Sequence, residues 1–238
     1  MKKLGIIGGL GPMATAYFFQ LIIDMTEAQN DQEHIEILIH NRPQIPDRTK
    51  YILGMCDENP VPELIKVGNG LVEQGVEILA MPCVTAHFFQ QQMEEEIQRP
   101  VLNAITETAE YLRLENIDTV GIMATDGTIE SKLFQNILEK EGIRCVVPDM
   151  EGQKAVMHLI YKNVKAGKPM EMNKFNQVSR QLFEKGAKVI LLGCTELSMA
   201  KKNHGIKEGF LDVLEVLARK AVLTCGTLKE EYQHLIME

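Results

Sequence analysis

Cys83 and Cys194 are the residues whose type and placement point most directly to chemistry, because each ends a copy of one pattern. Leu71-Val72-Glu73-Gln74-Gly75 leads through residues 76–82 to Cys83, and Leu182-Phe183-Glu184-Lys185-Gly186 leads through 187–193 to Cys194. Leu, Glu, Gly and Cys fall at identical offsets. A single cysteine is most often a small buried hydrophobe. Two at equivalent positions of a repeat form a candidate acid and base. A free thiol has a pKa of about 8.5, so modest help from a helix N-terminus poises one of a pair as thiolate near neutral pH. Inversion of a carbon centre needs such a pair, one group removing a proton from one face while its twin returns a proton to the other. Cys56, Cys145 and Cys225 have no repeat partner and are read as structural or surface residues.

The elements that must position the two thiols follow from hydrophobic patterning. Short apolar, β-branched runs at 4–7, 35–39, 78–81, 119–123, 144–147 and 189–192 alternate with amphipathic stretches at 12–26, 61–73, 86–97, 129–141, 153–164 and 172–184. That alternation predicts an α/β fold with parallel sheets. Gly5-Ile6 with Phe19-Gln20 also echoes Gly121-Ile122 with Phe134-Gln135, shifted by one residue, so the chain reads as a duplicated α/β unit. The expected division is residues 1–103 plus 207–238 for the first unit and 104–206 for the second, after a strand at Val101. In open parallel sheets, ligands bind beyond the carboxyl ends of the strands, where both cysteines would lie.

Composition narrows the function classes. The chain has 238 residues, 45% hydrophobic and 24% charged, with a formal net charge of −8, which argues against a nucleic-acid surface. The start, Met1-Lys2-Lys3-Leu4-Gly5-Ile6-Ile7-Gly8-Gly9, is too short and glycine-broken for a secretion signal and reads as a buried strand. Nothing approaches the roughly 18 apolar residues of a membrane helix. Five scattered cysteines make neither a disulfide framework nor a zinc motif, which implies a reducing, cytoplasmic setting.

Several motifs carry a family resemblance. Met81-Pro82-Cys83-Val84-Thr85-Ala86-His87 and Leu192-Gly193-Cys194-Thr195-Glu196 resemble the two cysteine motifs of the aspartate/glutamate racemase superfamily. Asn41-x-Pro43-x-Ile45-Pro46-Asp47-Arg48-Thr49, Ala124-Thr125-Asp126-Gly127-Thr128 and Gly8-Gly9-Leu10-Gly11-Pro12 are similar to further motifs of its aspartate racemase branch. The resemblance spans nearly the whole chain. It implies two pseudo-symmetric domains with the active site in the cleft between them, no pyridoxal phosphate or other cofactor, no metal, and a homodimer. It also implies that Cys83 serves the D enantiomer and Cys194 the L enantiomer of an acidic amino acid, aspartate before glutamate. One position departs: the family has Asn after the first cysteine, where this chain has Val84, leaving the backbone amides of Val84 and Thr85 to hold the α-carboxylate.

The same comparison assigns the other site residues. Arg48 is a plain loop arginine by itself, but its motif places it on the substrate side-chain carboxylate, which guanidinium can fork. Lys165, otherwise a helix-end lysine, becomes a substrate contact. Thr125, Gly127 and Thr128 form a turn whose hydroxyls and amides can cap a helix and hold a carboxylate. Leu10, Thr85 and Thr195 complete the expected lining. His87 is expected to pack in the core, and with Cys83 alone it is too few ligands for zinc. Gly8-Gly9-Leu10-Gly11 lacks the spacing of a dinucleotide loop. Three rivals stay open at this point: a related two-thiol isomerase or hydantoin racemase, a non-catalytic amino-acid-binding protein, and a dehydrogenase.

Overall fold

The computed structural model describes residues 2–206 and 208–236; Lys207, Met237 and Glu238, within the expected 207–238 return, lie outside the described residues. Its first sheet is parallel, in the order β2-β1-β3, with β1 at Leu4–Gly8, β2 at Ile37–Asn41 and β3 at Ile78–Ala80. The second, also parallel, has the order β5-β4-β6-β7, with β4 at Thr119–Met123, β5 at Arg144–Val146, β6 at Val189–Leu192 and β7 at Phe210–Asp212.

The duplication is visible in the strand registers. Gly5 pairs with Leu79 and Leu79 with Val101, while Gly121 pairs with Ile190 and Ile190 with Phe210. The single bridge at Val101 thus stands where the second sheet has β7. Both copies stop the helix before their cysteine strand at a glycine with positive φ, Gly75 at 84° and Gly186 at 94°, a conformation that Cβ disfavours.

Helices α1 (Pro12–Met25), α2 (Arg48–Ile52), α3 (Val61–Val72), α4 (Gln90–Ile97) and α5 (Ala104–Leu114) belong to the first stretch of chain. Helices α6 (Asp126–Glu130), α7 (Gln135–Leu138), α8 (Met150–His158), α9 (Met172–Glu184), α10 (Thr195–His204) and α11 (Val213–Cys225) follow. The apolar stripe of α3 covers one face of the first sheet through Leu64, Val67 and Leu71, and α9 does the same for the second through Phe175, Val178 and Leu182. The opposite faces of both sheets share one continuous core with α1, α5 and α11, including Phe18, Ile22, Ile105, Leu112, Leu217 and Ala221.

The terminal helices cross over. Helix α5, capped by Asn103 after the Val101 bridge, packs on α7; α11, capped by Asp212 after β7, packs on α1; and the two pack on each other. Two expectations are revised. The expected return at 207 places Phe210–Asp212 with the first unit, yet this strand completes the second sheet, and only the helix after it crosses to α1. The helix expected at 129–141 is broken into α6, a turn and α7, with Lys132 at a φ of +53°. Ala104–Leu114, Thr195–His204 and Val213–Cys225 are further helices. Among the described residues, no helix is long and apolar enough to cross a membrane.

Candidate active site

In each sheet the chain leaves the central strand toward one side and later crosses to the other, so β1/β3 and β4/β6 are the topological switch points where α/β sheets leave a crevice. The loops at all four strand ends meet at one small pocket. Leu10 follows β1, Cys83 to Thr85 follow β3, Thr125 follows β4, and Cys194 to Glu196 follow β6. Asp47, Arg48 and Thr49, after β2, and Tyr161 and Lys165, after α8, close the lining. Its free volume is only about 10 Å³, so the lining is nearly closed on itself, far below the ~300–1,000 Å³ usual for small-molecule sites. A wider open cleft of about 390 Å³ lies against it, sharing Leu10, Arg48, Lys165 and Glu196.

Both cysteines are free, and each is only 7% exposed. Each is an N-cap: Cys83 in extended backbone before the 3₁₀ turn Val84–Phe89, and Cys194 in extended backbone before α10. First-turn amides have no intrahelical partner, so they are available to a thiolate or a carboxylate. The surroundings differ. Cys194 Sγ donates to Glu196 Oε2 at 2.9 Å, and burial together with that carboxylate pushes the Cys194 thiol well above its ordinary range.

Arg48, 9% exposed, is held by three backbone carbonyls. Its Nη1 donates to Ile45 O at 3.2 Å and to Pro46 O at 3.0 Å, and its Nη2 donates to Leu10 O at 3.1 Å. The buried Nε has no partner, so of five guanidinium N–H groups the Nε–H and one Nη2–H are unspent. Burial works against the Arg48 charge, but Cys83 and Asp47 outweigh it and raise its pKa further.

Tyr161 and Lys165 reach the pocket because α8 widens into a π-turn at Leu159–Asn163 and then tightens into a 3₁₀ turn at Val164–Ala166. Lys165 Nζ lies 4.2 Å above the Tyr161 ring and 3.9 Å from Glu196 Oε1. Burial alone would lower the Lys165 pKa; Glu196, Cys194, Tyr161 and Cys83 hold it above its usual range. Tyr161 Oη donates to Asp47 Oδ2 at 3.3 Å, and Asp47 also caps α2 by accepting from Lys50 N.

Three threonines join the two halves of the chain. Thr85 Oγ1 lies 3.0 Å from Thr125 Oγ1 and 3.0 Å from Thr128 Oγ1, and the latter two are 3.1 Å apart. In such a ring each hydroxyl can donate once and accept once. Thr125 is also the N-cap of α6.

Of the residues singled out in the sequence, Leu10, Arg48, Cys83, Val84, Thr85, Thr125, Lys165, Cys194 and Thr195 line the pocket. Thr128 stands behind Thr85 and Thr125, while Gly127 packs on Thr49 from α2. His87 is buried away from the lining, with Nδ1 2.8 Å from Gln90 Oε1, and burial lowers its pKa to about 4. Sequence reasoning passed over Asp47, Thr49, Tyr161 and Glu196 as site residues. Glu196 directly follows the second cysteine motif and Asp47 precedes Arg48, whereas Tyr161 carries no local signal. Among the described residues, no three His, Cys, Asp or Glu side chains gather as a metal site.

The chain resembles known proteins over most of its length. The Asp/Glu/hydantoin racemase family matches residues 7–221. A broad specificity amino-acid racemase of Bacillus subtilis is 26% identical over 229 residues, covering 93% of this chain and 97% of that protein. An aspartate racemase of Picrophilus torridus is 30% identical and superposes with a TM-score of 0.82, covering 98% of both chains. The glutamate racemase of Francisella tularensis in complex with D-glutamate shares the fold at a TM-score of 0.65 and 16% identity, covering 94% of this chain and 80% of that one. With a repeated fold, a pocket at both switch points and a family match over most of its length, the chain belongs to the Asp/Glu/hydantoin racemases and is an isomerase of the amino-acid racemase type.

Proposed function

We propose that the protein racemises an acidic amino acid without a cofactor, aspartate first and glutamate next, by proton transfer between Cys83 and Cys194. The observation that carries this reading is the placement of both free thiols, at equivalent ends of a duplicated unit, in the lining of one small pocket. One cysteine as thiolate takes the α-proton while the other as thiol delivers a proton to the opposite face, and the roles exchange with substrate hand.

The rest of the lining supports a dicarboxylate with an ammonium group. The unspent Nε–H and Nη2–H of Arg48 suit a bidentate grip on the side-chain carboxylate. First-turn amides at Val84 and Thr85, with Thr125 and Thr195, suit the α-carboxylate, and Thr128 steadies Thr85 and Thr125 from behind. Lys165, in the lining and 3.9 Å from Glu196 Oε1, is a second cation that suits contact with a substrate carboxylate beside Arg48. The 30% identity to the Picrophilus aspartate racemase supports aspartate. We place the active site in a cleft between two pseudo-symmetric units and read the working protein as a cytoplasmic homodimer, again by likeness to the family.

A second reading is favoured by one residue. Val84, 5% exposed, makes the wall next to Cys83 apolar, which would suit side chains other than carboxylates, as in the broad specificity racemase of Bacillus subtilis. Incubating the protein with a panel of single-enantiomer amino acids in D₂O, followed by chiral chromatography and mass spectrometry, tests both. The expected result is the opposite enantiomer carrying one deuterium at Cα, fastest for aspartate. No inversion and no deuterium with any amino acid would overturn the assignment.

A further inference from the structure

The pocket treats its two thiols unequally. Cys194 Sγ points its proton at Glu196 Oε2, 2.9 Å away, and Thr195 Oγ1 lies 3.4 Å from the same oxygen. Cys83 has no carboxylate in that position; it lies near the Arg48 guanidinium, whose pKa it helps to raise against burial. The Glu196 side chain is itself buried, 8% exposed, and its other oxygen is 3.9 Å from Lys165 Nζ. The carboxylate is therefore fixed against the sulfur from one side and steadied by an ammonium on the other. A negative charge that close disfavours a second negative charge on sulfur.

We propose that Glu196 is a positioning residue that keeps the proton on Cys194 when the site is empty, so that the resting protein stands in one of the two protonation states a two-thiol racemase must visit. The inference rests on the two-thiol reading above. In the resting state Cys194 Sγ–H is the acid and Cys83 takes the base role. Turnover of one enantiomer moves the α-proton to Cys83 Sγ and the Cys194 proton to Cα, leaving a Cys194 thiolate against Glu196. That state is the less stable of the two, and the proton must pass back from Cys83 to Cys194 through solvent before the same enantiomer can react again. The two directions thus begin from free-enzyme states of unequal population.

The charged and titratable groups that face Cys194 are Glu196 on its own helix, Lys165 and Tyr161 from the segment after α8, and Cys83, Arg48 and Asp47 across the pocket. Of these, Glu196 is the carboxylate that accepts a hydrogen bond from the thiol.

The test reads the thiol itself. In a Cys83→Ala background, which leaves one pocket thiol, the rate of Cys194 alkylation by iodoacetamide is followed across pH by peptide mass spectrometry. Glu196→Gln should speed Cys194 alkylation about tenfold at pH 8, the factor given by a thiol pKa one unit lower. Glu196→Asp, which withdraws the carboxylate by one methylene but keeps its charge, should give a smaller increase and serves if the glutamine variant does not fold. In the racemase with Cys83 intact, Glu196→Gln should change kcat and KM unequally for the two enantiomers while their kcat/KM values stay equal, as an equilibrium constant of unity requires. Unchanged Cys194 alkylation in folded variants would overturn the proposal. Faster alkylation in a wild-type background that racemises nothing would uphold the role of Glu196 and overturn the functional reading instead.

Discussion

Gly127 lies so close to Thr49 that a Cβ on residue 127 would stand 3.0 Å from the Thr49 Cα and 3.1 Å from its Oγ1. The helix that begins at Arg48 and the one that begins at Asp126 thus touch backbone to backbone beside the pocket. Neither partner can yield as a flexible side chain would. Gly127→Ala should cost about 1–3 kcal/mol of stability, the usual range for overpacking, and should raise KM by moving Arg48. Urea unfolding and steady-state kinetics check the two effects; a fully neutral Gly127→Ala would mean the contact has slack.

Replacing either cysteine with Ala should abolish racemisation. Each single variant should still exchange the α-proton of one enantiomer with D₂O, because one base remains, and the two variants should choose opposite enantiomers. Full racemisation by either would sink the two-thiol mechanism.

Arg48→Lys removes the fork and leaves at least one of the Ile45, Pro46 and Leu10 carbonyls poorly served. A charged hydrogen bond contributes about 1.5–3 kcal/mol, so KM for aspartate should rise roughly tenfold to a hundredfold. A KM that is raised no more for aspartate than for alanine would show that Arg48 does not read the side-chain carboxylate.

Val84→Asn returns to the wall beside Cys83 an amide able to hold the α-carboxylate. Aspartate binding or turnover should improve about tenfold, within the range of one charged hydrogen bond. An equal lack of effect on aspartate and glutamate would point to a different natural substrate.

Buried His87 makes stability depend on pH below neutrality. Burial lowers its folded pKa to about 4, against about 6.5 in the unfolded chain. The unfolded state binds the proton more readily, so the stabilisation from neutral His87 is complete above pH 6.5 and is lost as pH falls toward 4. By pH 5 the loss should reach about 2 kcal/mol. Buried Asp212, raised to about 7, acts in the opposite sense over the same range, so the check is the difference: between pH 7 and 5 the wild-type protein should lose about 2 kcal/mol relative to His87→Gln in urea unfolding.

What the sequence disclosed was whatever is written locally. The cysteine motifs could be found because Leu71 to Cys83 and Leu182 to Cys194 repeat at fixed spacing, and the same spacing is the register of β3 and β6 against their central strands. Strand β7 escaped because Phe210-Leu211-Asp212 is too short to show a period and gains its identity only from pairing with β6. The capping residues Asn103 and Asp212 were signals for α5 and α11 that went unread. Tyr161 and Lys165 depend on a π-turn that shifts the phase of their helix, and Glu196 reads as an ordinary first-turn acid until the Cys194 sulfur is seen beside it.

The crossing of α5 and α11 bears on how such a molecule can be taken apart. Each half of the duplication ends in a helix that packs on the opposite half, as in two exchanged protomers joined by a linker. A nick at Asn116 or Ile117, just past α5, would leave fragments whose complementary apolar surfaces belong to each other. Co-expressed as separate polypeptides, they should reassemble into one heterodimer, while either alone exposes enough core to aggregate.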